Sequence, residues 1–349
     1  MDRETLISLV SQGEQISKAN LAGIDLSGAN LSGGIFEEVD FSGANLSGAS
    51  FKESILIRCR FDRANLKSAL FHLVSLHMCS FKSANLAGSD MKASQISQSD
   101  FSDADLTGAD LRTAAIAQSK LERARFSGAN LERTAFVEVE TAGIDFSGTN
   151  LKQTVLVKAD LRTARLEGCS FVMAILIESN LAGLNLKGQD FSLTQFMGAD
   201  LSGCDFSGAN LTQCNFKGAN LNKANLVGAR ANNALFVEAI LKEAMVSNAK
   251  LYQSIFIDAD MSLADFSGAD MRQCILTKAN CLQARFVNAD LTYADFTHAN
   301  LNAANLYGAK MFRAKLHGIE DQKAVITDRA SALGNDPELL KAENWKPVY

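Results

Sequence analysis

A large apolar residue recurs at every fifth position from Ile16 to Leu316, and the phase never slips. Of these 61 places, only Thr141, Ala231, Val246 and Cys281 are not Leu, Phe, Ile or Met. Two positions earlier stands a small residue, with Asp or Asn between, and two mostly polar residues follow, often ending in Gly. The stretch Ala199–Leu226, ADLSGCDFSGANLTQCNFKGANLNKANL, shows the unit at its most regular.

Period five matches neither the two-residue alternation of a strand nor the 3.6-residue turn of a helix. It requires a chain that turns a corner every five residues. Four such sides close a coil of about twenty residues, stacked on the next coil at about 4.8 Å. The large residue and the small one before it point inward, as with Ala199 and Leu201, and the other three face water. Such a solenoid buries a continuous core only by stacking. About fifteen coils from Ile16 to Leu316 predict a rod of roughly 70 Å.

The same phase assigns several side chains. Phe41, Phe61, Phe81 and Phe101 are spaced by twenty and are expected to stack, as are Phe196, Phe216, Phe236 and Phe256. Gln189 takes an inward position among small neighbours and, if buried, needs hydrogen-bond partners. Gly at the end of a unit, as in Gly203 and Gly208, reads as a corner with positive φ. Asp200, Asp205, Asn210 and Asn215 precede core residues and suit bonding to corner amides.

Both ends depart from the repeat. Residues 1–15 predict a helical cap: Asp2 or Thr5 caps it, Leu6, Leu9 and Val10 give an apolar face, and Gly13 ends it. Residues 16–318 form one repeat domain. Residues 319–349 predict a helical cap or tail, with one helix over roughly Asp321 to Leu333 and a second starting at Asp336-Pro337. The opening MDRETLISLVSQGEQISKANL does not read as a signal peptide, and no stretch reads as a membrane span.

The repeat resembles that of the pentapeptide-repeat family, whose pattern is a small residue, Asp or Asn, Leu or Phe, and two variable positions. The likeness covers about 300 of the 349 residues. It implies an all-β solenoid, a right-handed quadrilateral β-helix, and no single function, since the family includes topoisomerase-protecting proteins and secreted effectors. The end segments, MDRETLISLVSQGEQISKANL and DPELLKAENWKP, are similar to those of family members associated with type VI secretion loci.

Charge and candidate chemistry narrow the function classes. A net charge of −5 with Lys and Arg dispersed among Asp and Glu leaves no basic nucleic-acid footprint. The outward column Asp40, Arg60, Ser80, Asp100, Lys120, Glu140, Asp160 mixes signs, which lowers the reading as a DNA mimic that binds gyrase. Cys59, Cys79, Cys169, Cys204, Cys214, Cys274 and Cys281 all fall on inward positions, so reduced core thiols in a cytoplasmic chain are expected. His72 and His77 read as outward-facing, His298 and His317 as distant surface residues. No enzyme, cofactor or metal is assigned.

One side is different. Ile55 and Ile57, Ala135 and Val137, Val155 and Val157, Ile175 and Ile177, Leu235 and Val237, and Ile255 and Ile257 flank core residues there. They should project outward and form two separate patches, Ala135 to Ile177 and Leu235 to Ile257, which with Ile55, Ile57 and Trp345 make the candidate partner-binding surface. The competing account is β-propensity alone. The sequence therefore reads as a non-enzymatic interaction scaffold of the bacterial cytoplasm, as a type VI secretion accessory. Its partner is a protein, or a second copy joined through the apolar face or a terminal cap. The alternatives are the gyrase-binding mimic and a secreted effector.

Overall fold

The computed structural model describes residues 1–345, and the chain divides into two compact units, Met1–Ser179 and Asn180–Tyr349. Each is a parallel β-solenoid with four sides per coil. In the first unit the four sides pair at a twenty-residue offset as Gln15↔Ile35, Asn20↔Asp40, Asp25↔Asn45 and Asn30↔Ser50. In the second they pair as Asp190↔Asn210, Gln195↔Asn215, Asp200↔Asn220 and Asp205↔Asn225. Every one of the 61 in-phase positions is buried.

Most sides touch the next coil through a single bridging residue. One side of the first unit is longer, with three-residue strands β1 (Gln15–Ser17), β2 (Ile35–Glu37), β3 (Ile55–Ile57), β4 (Ser75–His77), β5 (Gln95–Ser97), β6 (Ala115–Ala117), β7 (Ala135–Val137) and β8 (Val155–Val157). They form one parallel sheet in that order. The residues after β1, β2 and β3 are Lys18, Glu38 and Arg58, all at positive φ. Gly203 and Gly208 take the corner at φ 65°, as expected, but glycine is not required there. Among the described residues, 40 non-glycine residues hold the left-handed conformation, at a local cost that the bonding of adjacent coils offsets.

Both aromatic columns form. Phe61 stacks on Phe81 with centroids 4.7 Å apart and Phe81 on Phe101 at 4.6 Å. In the second unit Phe196, Phe216, Phe236 and Phe256 stack at 5.1, 4.8 and 4.7 Å. Gln189 departs from its expected burial: it is half-buried, and its carbonyl accepts the Asn210 N–H at 2.9 Å.

Gly34 occupies the small inward position before Phe36. A Cβ there would lie 2.5 Å from Cε2 of Phe36 and 3.0 Å from the Leu31 carbonyl oxygen. Thr134 occupies the equivalent place before Phe136, so the position itself accepts a side chain and the Phe36 ring is the obstacle. Gly34→Ala is expected to cost about 1–3 kcal/mol by overpacking. In a Phe36→Leu background, thermal melts should show that cost shrinking; an unchanged cost would assign it to the backbone.

The ends follow the capping chemistry in part. Helix α1 (Arg3–Ser11) is capped by Asp2, whose carboxylate accepts the Thr5 N–H at 2.9 Å, and it buries Leu6 and Val10. The helix expected over Asp321 to Leu333 does not form. Those residues continue the coil: Val325–Ile326 (β10) pairs in parallel with Asn305–Leu306 (β9), and Leu333 bridges Lys315. Consecutive Val and Ile suit an extended side better than a helix, and the edge of the preceding coil offers backbone partners that an isolated helix would forgo. Only a 3₁₀ turn, Arg329–Ser331, interrupts them. Helix α2 (Pro337–Glu343) starts at Asp336 as expected, the Asp336 carboxylate accepting the Glu338 and Leu339 N–H groups at 3.0 Å.

Candidate interaction surface

The apolar flanks project outward, but stacking covers them unevenly. In the first unit Ile55 and Val137 are the most open at 43% and 44%, while Ile57, Val155, Val157, Ile175 and Ile177 are half-buried by the coils above and below. Ile175 continues the row by bridging Val155, and the Leu156 N–H donates to its carbonyl at 2.8 Å. Ser75, Gln95 and Ala115 separate Ile55 from Ala135 along the same sheet. In the second unit Leu235, Ile255 and Ile275 bridge in succession, with Val237 and Ile257 beside them. Ile35 and Ile275 extend these rows beyond the positions singled out from the sequence. Trp345 follows α2 and is exposed.

A ladder of corner side chains borders the row in the first unit. Arg58 pairs with Glu38 at 3.0 Å, Gln118 donates to Glu138 at 3.0 Å, and Lys158 pairs with Glu178 at 3.4 Å. An apolar strip bordered by paired polar groups has the layout of a protein–protein contact, with a dry centre and a polar rim.

The Asp and Asn columns do what their position suggests. Asp200 accepts the Ser202 N–H at 3.1 Å, and Asp205 accepts the Ser207 N–H at 2.9 Å. The next coil adds a second donor: Asn220 Nδ2 reaches Asp200 at 3.0 Å and Asn225 Nδ2 reaches Asp205 at 2.9 Å. Burial opposes ionisation of Asp205, but the Ser207 donor, the Lys187 charge and the Asn225 amide outweigh it, so its carboxyl lies below the usual carboxylate range. These acids are committed to the scaffold. In the mixed-sign column, Arg60 sits 3.8 Å from Asp40 and Lys120 3.8 Å from Glu140.

All seven cysteines are buried free thiols. Cys214 Sγ donates to the Phe191 carbonyl at 2.9 Å, and burial pushes its pKa up to about 12. Burial likewise raises Cys204 to about 11, so these groups lack thiolate character.

One histidine differs from its sequence reading. His72 and His77 are half-buried, and His77 Nδ1 bonds Ser97 Oγ at 2.9 Å. His317 is not a surface residue: it is 4% exposed, and its ring lies 5.4 Å from that of His298. Their separation of nineteen residues, almost one coil, is the signal that foretells this contact. Glu343 arrives from outside the repeat to meet both, at 2.9 Å from His298 and 3.1 Å from His317. The sequence reading also passed over an aromatic and arginine cluster: Arg272 lies over the Tyr252 ring and Arg313 over Tyr293, with Phe312 edge-on to Tyr293.

Among the described residues no helix is long and apolar enough to cross a membrane. No curated protein matches the chain. Among solved structures, HetL, a pentapeptide repeat protein involved in heterocyst differentiation regulation from the cyanobacterium Nostoc sp. strain PCC 7120, is 21% identical, with a TM-score of 0.25. The match covers 80% of this chain and 96% of HetL. QnrB1, a plasmid-mediated fluoroquinolone resistance protein, is 24% identical over 51% of this chain and 90% of its own, with a TM-score of 0.27. Likenesses at these scores carry no functional argument. The sequence profile described as "Pentapeptide repeats" matches residues 15–72, 75–112 and 144–318 in overlapping copies, well over half of the chain. The chain belongs to the pentapeptide-repeat family.

Proposed function

We propose that this chain is a non-enzymatic scaffold that binds a protein partner through the apolar side of its solenoid. The carrying observation is the row Val137, Val155, Val157, Ile175 and Ile177, which faces outward from consecutive coils of the first unit. Scattered surface apolars need no explanation, whereas aligned ones mark partner sites. Leu235, Val237, Ile255 and Ile257 offer a second, separate row in the second unit, and exposed Trp345 a third contact. The reduced core thiols fit a cytoplasmic setting, and the end segments' resemblance to type VI secretion-associated members supports an accessory role there. Opposite charges paired along the outer columns weigh against an anionic DNA mimic.

The test is the quadruple variant Val155→Ser, Val157→Ser, Ile175→Ser and Ile177→Ser. Its circular dichroism is expected to match the parent, while sedimentation shows lost self-association or affinity capture shows lost partners. Unchanged sedimentation and an unchanged partner set would reduce the row to β-propensity. Inhibition or protection of DNA gyrase at micromolar protein in a supercoiling assay would reverse the ranking in favour of the mimic.

A further inference from the structure

Helix α2 buries none of its own residues, so packing of an apolar face does not hold it in place. A seven-residue helix is unstable alone. Polar contacts at its two ends supply the anchorage. At the start, the Asp336 N–H donates to Nδ1 of His317 at 3.0 Å. At the end, the two carboxylate oxygens of Glu343 meet Nε2 of His298 and Nε2 of His317 separately. α2 thus runs back along the outer wall from His317 towards His298, and a cavity of about 510 Å³ lies under it, lined by His317, Leu333, Asn335 and Leu339 among others.

Three potential ligand atoms, from His298, His317 and Glu343, lie within 4.8 Å of one another, which raises the question of a metal ion. The protonation pattern argues against one. A backbone N–H can only donate, so Nδ1 of His317 accepts and its ring proton sits on Nε2. A metal at that Nε2 requires the proton to move to Nδ1, where the Asp336 N–H already points. Metal-bound imidazoles place a hydrogen-bond acceptor, not a donor, against the second nitrogen. An ionised Glu343 accepting one N–H from each ring pairs the three side chains without a cation. Burial opposes that ionisation, but the hydrogen bonds from His317 and His298 outweigh it, and the Glu343 carboxyl lies below its usual range.

We propose that α2 is a releasable strap, latched to the solenoid wall by the Glu343 carboxylate shared between His298 and His317. Its opening is a local event that uncovers His317 and the cavity while the coils beneath stay folded. Hydrogen exchange read by mass spectrometry tests this on the full chain. Glu343→Ala is expected to lower protection of the α2 amides about tenfold, the size of a lost charge-assisted bond, with the amides of Ile240 and Asp260 unchanged. Glu338→Ala, on the same helix but outside the latch, should leave protection at the parent level. His298→Ala, at an exposed position, should reproduce the release, and the double variant with Glu343→Ala should add less than the two singles together. Trp345 is the only tryptophan, so its fluorescence anisotropy reports the same release independently. Unchanged α2 protection in Glu343→Ala, or loss of protection in the coils together with α2, would overturn the latch. So would stoichiometric zinc binding that raises α2 protection and needs all three side chains, because the cluster would then be a metal site.

Discussion

Leu201→Asp is expected to cost at least about 4 kcal/mol, enough to unfold the coils around it, because it removes a buried apolar side chain and places an unpaired charge inside. Leu201 has no exposure, and its flanking small residues, Ala199 and Cys204, have none either. Ser202→Asp, one residue along, should change stability by less than about 0.5 kcal/mol, since Ser202 is half-exposed on the outer wall. Urea titrations of the two variants read the inward phase directly. Comparable midpoints would mean that the five-residue phase is misassigned.

The core was legible from sequence because one rule, a large residue every five, is imposed by every coil at once. Asp205 and Asn225 were legible for the same reason, since a repeat of twenty brings equivalent side chains together. What the repeat does not encode was missed. Lys18 and Arg58 adopt positive φ at 52° and 53° although neither prefers it; backbone bonds to the next coil, Lys18 N–H to Glu37 O and Arg58 N–H to His77 O, hold it. Past Leu316 the apolar phase breaks at Asp321 and Ser331, and Ile326, in phase twenty residues beyond Leu306, stands alone between them, too isolated to read as a further side, although it pairs with Leu306. Glu343 lies in a segment with no repeat, and its meeting with His298 and His317 depends on how α2 turns back at Asp336.

The row of Val155, Val157, Ile175 and Ile177 illustrates the limit of pattern reading. In the first unit the same side carries the only sheet of three-residue strands among the described residues, so β-branched residues there serve the strand whether or not a partner covers them. The quadruple variant separates these roles.

Phe216→Ala should give the second large loss, about 3–5 kcal/mol. Phe216 is fully buried and sandwiched between Phe196 at 5.1 Å and Phe236 at 4.8 Å, both nearly parallel to it. Truncation leaves a cavity that rigid neighbouring coils cannot close, because their spacing is set by backbone bonds such as Phe216 N–H to Leu235 O at 2.7 Å. Phe216→Leu keeps most of the volume and forfeits chiefly the two ring contacts, so about 1–2 kcal/mol is expected. Each coil touches only its neighbours, so the loss should appear first as reduced amide protection in the adjacent coils of the second unit rather than as uniform loosening. Ala and Leu variants of equal stability would show that the ring column is loosely packed. Equal protection loss at Ala294 and at Cys214 would show that this unit unfolds as one cooperative block.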